Sequence, residues 1–279
     1  MASAATADDG LARPIGFDAR SGAGLHLALS LGGGGIFFVA WQVAYLHELA
    51  DRGIDLRGAD RVVGTSAGSL VAAILEAGDL GRFEREVTLF ARTPALVSAL
   101  APSGSLRGSQ QRALSAFIAA QDAQPDTIRA IGHDALAAAT PSAAKMVRSV
   151  SLVLLRRRWP SSTLHITCVD TYTGERCVID ASAGVPIARA VAASSAVPGI
   201  FSPQPIGDRR CMDGGVSGSG THLDLVAGAD RVVVLSLLDG QGDGAGGMTQ
   251  APSAYRSELA ALEATGSRVF VRSPESVDL

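Results

Sequence analysis

The stretch LHLALSLGGGGIFFVAWQVAYLHELADRG, residues 25–53, changes its period in the middle. Residues 25–31 form an apolar run of the kind that builds a buried strand in a parallel sheet. From Val39 onward the apolar residues recur at helical spacing, and the pattern stops near Gly53. Four consecutive glycines, Gly32 to Gly35, separate the two patterns. Glycine loses more backbone freedom on folding than any other residue, so a run of four marks a place where bare main chain is needed. The same unit recurs downstream: RVVG (61–64) reads as a second strand, and SAGSLVAAILEAG (66–78) as a second helix closed by Gly78. Two strand–glycine turn–helix units in succession predict an α/β protein with a mainly parallel sheet.

Outward from these units the pattern changes. Residues 80–160 are alanine-rich and predict a helical insertion or lid, broken at Pro102, Pro125 and Pro141. Strand-like segments return at LHITCVD (164–170), RCVID (176–180), DRVVVLSLL (230–238) and SRVFVR (267–272), while DGQGDGAGGMTQAP (239–252) reads as a loop. Residues 1–22 are polar and read as a flexible leader to one domain over 23–279, and they lack the apolar core of a secretory signal. At 279 residues, 47% hydrophobic and 18% charged, the composition is that of an ordinary globular protein. A formal charge of -3 gives no reason to expect nucleic acid as a partner. Cys168, Cys177 and Cys211 are too few and too irregularly spaced for a disulfide framework or a zinc site. No motif calls for a metal or other cofactor. A reducing, cytoplasmic setting with at most peripheral membrane contact is expected.

GTSAG (64–68) fits G-x-S-x-G directly between a strand and a helix. In that context the tight turn lifts Ser66 off the sheet, and Gly64 and Gly68 leave room for it. The bland alternative is a serine N-cap. A serine nucleophile needs a base and an oxyanion hole. Main-chain N–H groups of Gly33, Gly34 and Gly35 are candidates for the hole. A dinucleotide reading is weaker, because the third glycine of G-x-G-x-x-G would fall on Phe37. For the base, CMDGGVSGSGTHLDL offers Asp213, followed by Gly214 and Gly215, and His222. Serine, aspartate and histidine in that chain order would suit an α/β-hydrolase triad, although His222 in THLDL reads more simply as a residue that caps or packs a helix.

The glycine block, GTSAG, ASSAVPGIFSPQPIGDRRCMDGG (193–215) and GADRVVVLSL (228–237) together resemble the patatin-like phospholipase family. The resemblance implies a three-layer α/β/α fold and a lipid acyl hydrolase that works by a Ser–Asp dyad. Ser66 would be the nucleophile, Asp213 the base, and Gly33 to Gly35 the oxyanion hole. Substrates would be acyl esters of phospholipids or other lipids. One departure stands out: the family commonly has arginine or lysine just after the glycines, where this chain has Ile36, Phe37 and Phe38. A non-catalytic acyl-lipid binder on the same scaffold is the alternative of a different class. Phe37, Phe38, Trp41 and Phe201 are candidates for an acyl pocket, and Arg156, Arg157 and Arg158 before Trp159 for contact with an anionic lipid surface.

Overall fold

In the computed structural model, residues 16–91, 105–120, 122–237 and 252–274 are described. Pro102, most of the predicted loop at 239–252 and residues 1–15 of the leader lie outside them. Eight strands form one sheet: β1 (Leu27–Leu31), β2 (Arg61–Gly64), β3 (Leu164–Asp170), β4 (Arg176–Ile179), β5 (Gln204–Ile206), β6 (Arg209–Asp213), β7 (Arg231–Leu235) and β8 (Arg268–Arg272). Strands run in the order β5-β6-β3-β2-β1-β7-β8, with β4 also paired to β3. From β8 to β3 every pairing is parallel, whereas β4, β5 and β6 join antiparallel.

Alternation along the strands sorts side chains to two faces, as a pleated sheet requires. Leu29, Leu31, Val62, Leu164 and Ile166 enter one core, and Ala28, Val63, Val232 and Val234 enter another. Full burial of each leucine or isoleucine contributes about 1.5–3 kcal/mol. The first core is covered by α1 (Gly35–Asp51), α2 (Ala67–Ala77), α3 (Leu80–Ala91), α6 (Ala143–Leu154) and α7 (Ile187–Ser194). On the other side lie α8 (Pro252–Ala264) and the 3-10 turn Leu223–Val226. From the 80–160 region, α4 (Gly108–Ile118) and α5 (Pro125–Ala137) pack on Val169, Met212 and Val216, so these helices help to cover the sheet. Pro125 opens α5 at its first turn, where proline's missing N–H costs nothing. The result is a three-layer α/β/α architecture.

One detail of the topology places the chemistry. Along β3, β4 pairs with residues 166–169, β2 with 164–166 and β6 with 168–170. Since β4 occupies one edge of β3, β2 and β6 share the other, end to end. Gly64 lies opposite Ile166 and Asp213 opposite Cys168, so the end of β2 meets the end of β6 with Thr167 between them. Thr65 and Thr167 close that gap with a hydroxyl–hydroxyl hydrogen bond of 2.8 Å. A Cβ on Gly214 would lie 2.6 Å from Thr167 Oγ1 and 2.8 Å from its carbonyl oxygen, so only glycine fits where β6 leaves the sheet.

Candidate active site

Ser66 stands between β2 and α2 with φ 51° and ψ -117°, a conformation that costs a non-glycine residue about 1–3 kcal/mol. Its neighbours over-determine it. The Ser66 N–H donates to Ser194 Oγ at 2.8 Å, and its carbonyl accepts from Ser69 Oγ at 2.6 Å and Ser195 Oγ at 3.2 Å. Gly68 is pressed against β1: a Cβ there would lie 1.9 Å from the Leu31 carbonyl oxygen, so α2 takes its position only with glycine at this site. Although Ser66 is the N-cap residue of α2, its hydroxyl makes no capping hydrogen bond. The side chain is half-buried and available for another task.

Asp213 ends β6 and caps the 3-10 turn Gly214–Ser217. It is 3% exposed; Oδ1 accepts from the Gly215 N–H at 2.8 Å, and Oδ2 has no hydrogen-bond partner among the described residues. Desolvation raises its pKa from 3.8 to about 6, against the Gly215 N–H and the Ser66 hydroxyl, which both favour the carboxylate. Ser66 thus acts on Asp213 from close by, while the free oxygen is not yet aligned with a donor. Long or misaligned catalytic hydrogen bonds are usual before substrate binds. The Asp213 N–H donates to the Ala196 carbonyl at 3.0 Å. The end of α7 therefore holds both residues, the serine through Ser194 and the aspartate through Ala196.

The glycine block runs beside them. A Cβ on Gly33 would lie 3.3 Å from that of Ser66. The Gly33 N–H is already bonded, at 3.1 Å, to the Gly220 carbonyl. Gly34 and Gly35 begin α1, where N–H groups lack intrahelical acceptors, and no acceptor for either is present among the described residues. Buried Gln42 steadies the loop by donating to the Gly32 carbonyl at 3.0 Å. Phe38 is fully buried and stacks on Trp41, which places both in the core; Phe37 and Phe201 are partly exposed. Trp159 also packs against the core, with Nε1 donating to the Val185 carbonyl.

His222 is engaged elsewhere. Arg176 and Asp224 form a bidentate pair at 2.6 and 2.7 Å, both buried, and Arg176 Nη1 lies 3.2 Å from His222 Nδ1. Burial first, and the Arg176 charge second, lower the His222 pKa to about 3. A neutral ring whose Nδ1 accepts from Arg176 fits both facts. It begins the 3-10 turn Leu223–Val226 without a side-chain cap.

A model of patatin-like phospholipases matches residues 29–225, from within β1 into the turn after His222. The chain belongs to the patatin-like phospholipase family. Among solved structures, the patatin-like chain is similar to VipD from Legionella pneumophila at 15% identity and a TM-score of 0.36. That match covers 75% of this chain and 50% of VipD, so this patatin-like chain spans half the length of its structural relative. No curated protein matches it. Among the described residues, no helix is long and apolar enough to cross a membrane.

The sequence assigns no role to two features of this patatin-like site. The hydroxyls of Ser194 and Ser195 lie in an alanine-rich helix end, and only the fold brings them to Ser66. Removing the Ser194 hydroxyl leaves a partly buried N–H without its acceptor, at a cost of about 1–3 kcal/mol. We expect Ser194→Ala to lower kcat about tenfold with little change in KM, and Ser194→Thr to recover most of it. Steady-state kinetics on a short acyl ester provide the check, and an unchanged kcat in Ser194→Ala would remove Ser194 from the argument. The second feature is the convergence of the three cysteines. Cys211 lies far along the chain from Cys168 and Cys177, but β3, β4 and β6 carry all three to one face of the sheet.

Proposed function

We propose that this chain is a lipid acyl hydrolase that cleaves carboxylic esters of phospholipids or other acyl lipids through a Ser66–Asp213 dyad. The observation that carries the reading is the meeting of β2 and β6 on one edge of β3, which sets a strained serine beside a buried carboxylate with one unpartnered oxygen. Ser66 Oγ attacks the ester carbonyl carbon while Asp213 Oδ2 takes its proton. The N–H groups of Gly34 and Gly35 and the positive end of α2 stabilise the oxyanion; one such donor is worth about 2.7–4 kcal/mol. Collapse of the tetrahedral species transfers the proton from Asp213 to the leaving alcohol and leaves an acyl-enzyme. Asp213 then activates water for deacylation. A free aspartate is a weak base, and a pKa of about 6 brings this one nearer the operating pH.

Apolar side chains at the mouth support an acyl substrate. Ile36 is 83% exposed and Phe37 39%, directly after the two glycine donors. Hydrocarbon stands here where relatives place a cation, which favours contact with an acyl chain over an anionic head group. The triad reading has less support, since the described contacts of the His222 ring are with Arg176, Asp224 and the Gly214 main chain. Incubation with a mixed lipid extract, followed by mass spectrometry, should show free fatty acids accumulating. A folded protein that releases none and takes no fluorophosphonate on Ser66 would leave the acyl-lipid binder as the better reading.

Peripheral membrane contact is part of the proposal. Leu152, Leu155 and Arg156 to Arg158 are all exposed around the end of α6. Arg156 is partly committed to Asp79, 3.3 Å away. A basic side chain near an anionic surface contributes about 1 kcal/mol. Changing the three arginines to glutamine should therefore weaken co-sedimentation with anionic vesicles more than about tenfold. Unchanged binding would exclude this face.

A further inference from the structure

Cys168, Cys177 and Cys211 are fully buried, and their sulfur atoms all lie within 4.8 Å of one another. Cys168 and Cys177 face each other across the β3–β4 pair, and Cys211 comes from β6 on the opposite edge of β3. Three adjacent strands therefore supply one sulfur each to a single point in the core under α7. We propose that these thiols form a three-coordinate site for one soft monovalent metal ion, Cu(I). This goes beyond the hydrolase reading and does not rest on it.

Ligand type and number select the ion. Sulfur-only sites favour Cu(I), zinc and iron–sulfur clusters. Structural zinc takes four ligands, and among the described residues no fourth cysteine, histidine or carboxylate joins this group. Cu(I), with a filled d shell and a single charge, is satisfied by three. When Cu(I) enters, each sulfur that bonds it does so as a thiolate and gives its proton to solvent, and no oxidation state changes. The geometry needs little adjustment. A metal–thiolate bond of about 2.3 Å puts the corners of a planar three-sulfur site about 4.0 Å apart, so the sulfurs close by less than about 1 Å. Access is through β4, which pairs only with β3 among the described strands; opening that edge uncovers Cys177 and then Cys168.

The test titrates the reduced full chain with Cu(I), without oxygen, against a coloured Cu(I) chelator. We expect one ion per chain, X-ray absorption showing three sulfur neighbours, and a higher melting temperature on loading. Cys168→Ala, Cys177→Ala and Cys211→Ala, each shown to be folded by circular dichroism, should each weaken binding at least about tenfold. Should a variant fail to fold, the sulfur count in the wild-type protein still decides. No retained copper, nitrogen or oxygen in place of a sulfur neighbour, or folded variants that bind as tightly as wild type would each overturn the site.

Discussion

Ser66→Ala should abolish ester hydrolysis while leaving the fold intact. Loss of the nucleophile in a serine hydrolase costs as much as about 10⁶-fold in kcat, with any remainder coming from the oxyanion donors and substrate binding. The contacts that hold the elbow engage the main chain of Ser66, through its N–H to Ser194 and its carbonyl from Ser69 and Ser195. Alanine can make all of them. The melting temperature should therefore stay near that of wild type while fatty acid release and fluorophosphonate labelling both vanish. Activity that survives in a folded Ser66→Ala protein would place the nucleophile elsewhere. His222→Gln supplies the contrast between mechanisms. A dyad leaves it active wherever it folds, whereas a triad makes it as dead as Ser66→Ala.

Asp213→Asn should show opposite effects on activity and stability. A positioned general base contributes about 10²–10⁴-fold, and we expect a loss in that range, because asparagine can still accept from the Gly215 N–H but cannot take the serine proton. In the wild type, kcat/KM should rise with pH as Asp213 ionises, with a midpoint near its pKa of about 6, and level off above. Stability runs the other way. The folded-state pKa is raised from 3.8 to about 6, so between those values the folded chain binds more protons than the unfolded chain. Stability from this residue is then full below about pH 4 and is lost as pH rises through 6. At 1.36 kcal/mol per pKa unit the loss is on the order of 3 kcal/mol, an upper bound. Asp213→Asn should therefore melt higher than wild type at pH 7 and lose the advantage near pH 4. Equal melting at both values would show that the carboxylate is solvated, not buried.

Much of this fold was legible because its signals are local. RVVG became β2 residue for residue, and LHITCVD became β3. Gly78 closes α2 in the left-handed conformation that only glycine adopts without strain. The helix after the glycines begins at Gly35, earlier than its apolar period shows, since Ile36 and Phe37 face solvent and carry no core pattern. The hairpin β5–β6 escaped for a similar reason: QPI and RRCMD are short, and each breaks the apolar pattern with proline or arginine. At the site, Ser66 and Asp213 could be named from motifs, but the sharing of donors could not. That the Gly33 N–H is bonded to Gly220, leaving Gly34 and Gly35, depends on a contact across nearly two hundred residues. The same holds for the Arg176–Asp224 pair beside His222, which no period or motif encodes.

The end-to-end placement of β2 and β6 makes β3 a ruler. Gly64 is registered on Ile166 and Asp213 on Cys168, so the two strand ends stand two residues apart along one continuous strand, about 6.8 Å. The separation of Ser66 and Asp213 is thus set in peptide units of a third strand that carries neither. Drift of either arm would mean breaking its ladder with β3, and a shift by a single residue would turn Asp213 to the opposite face of the sheet. The distance between Ser66 and Asp213 therefore tolerates wide variation in the residues between α2 and β3 and almost none within β3 itself.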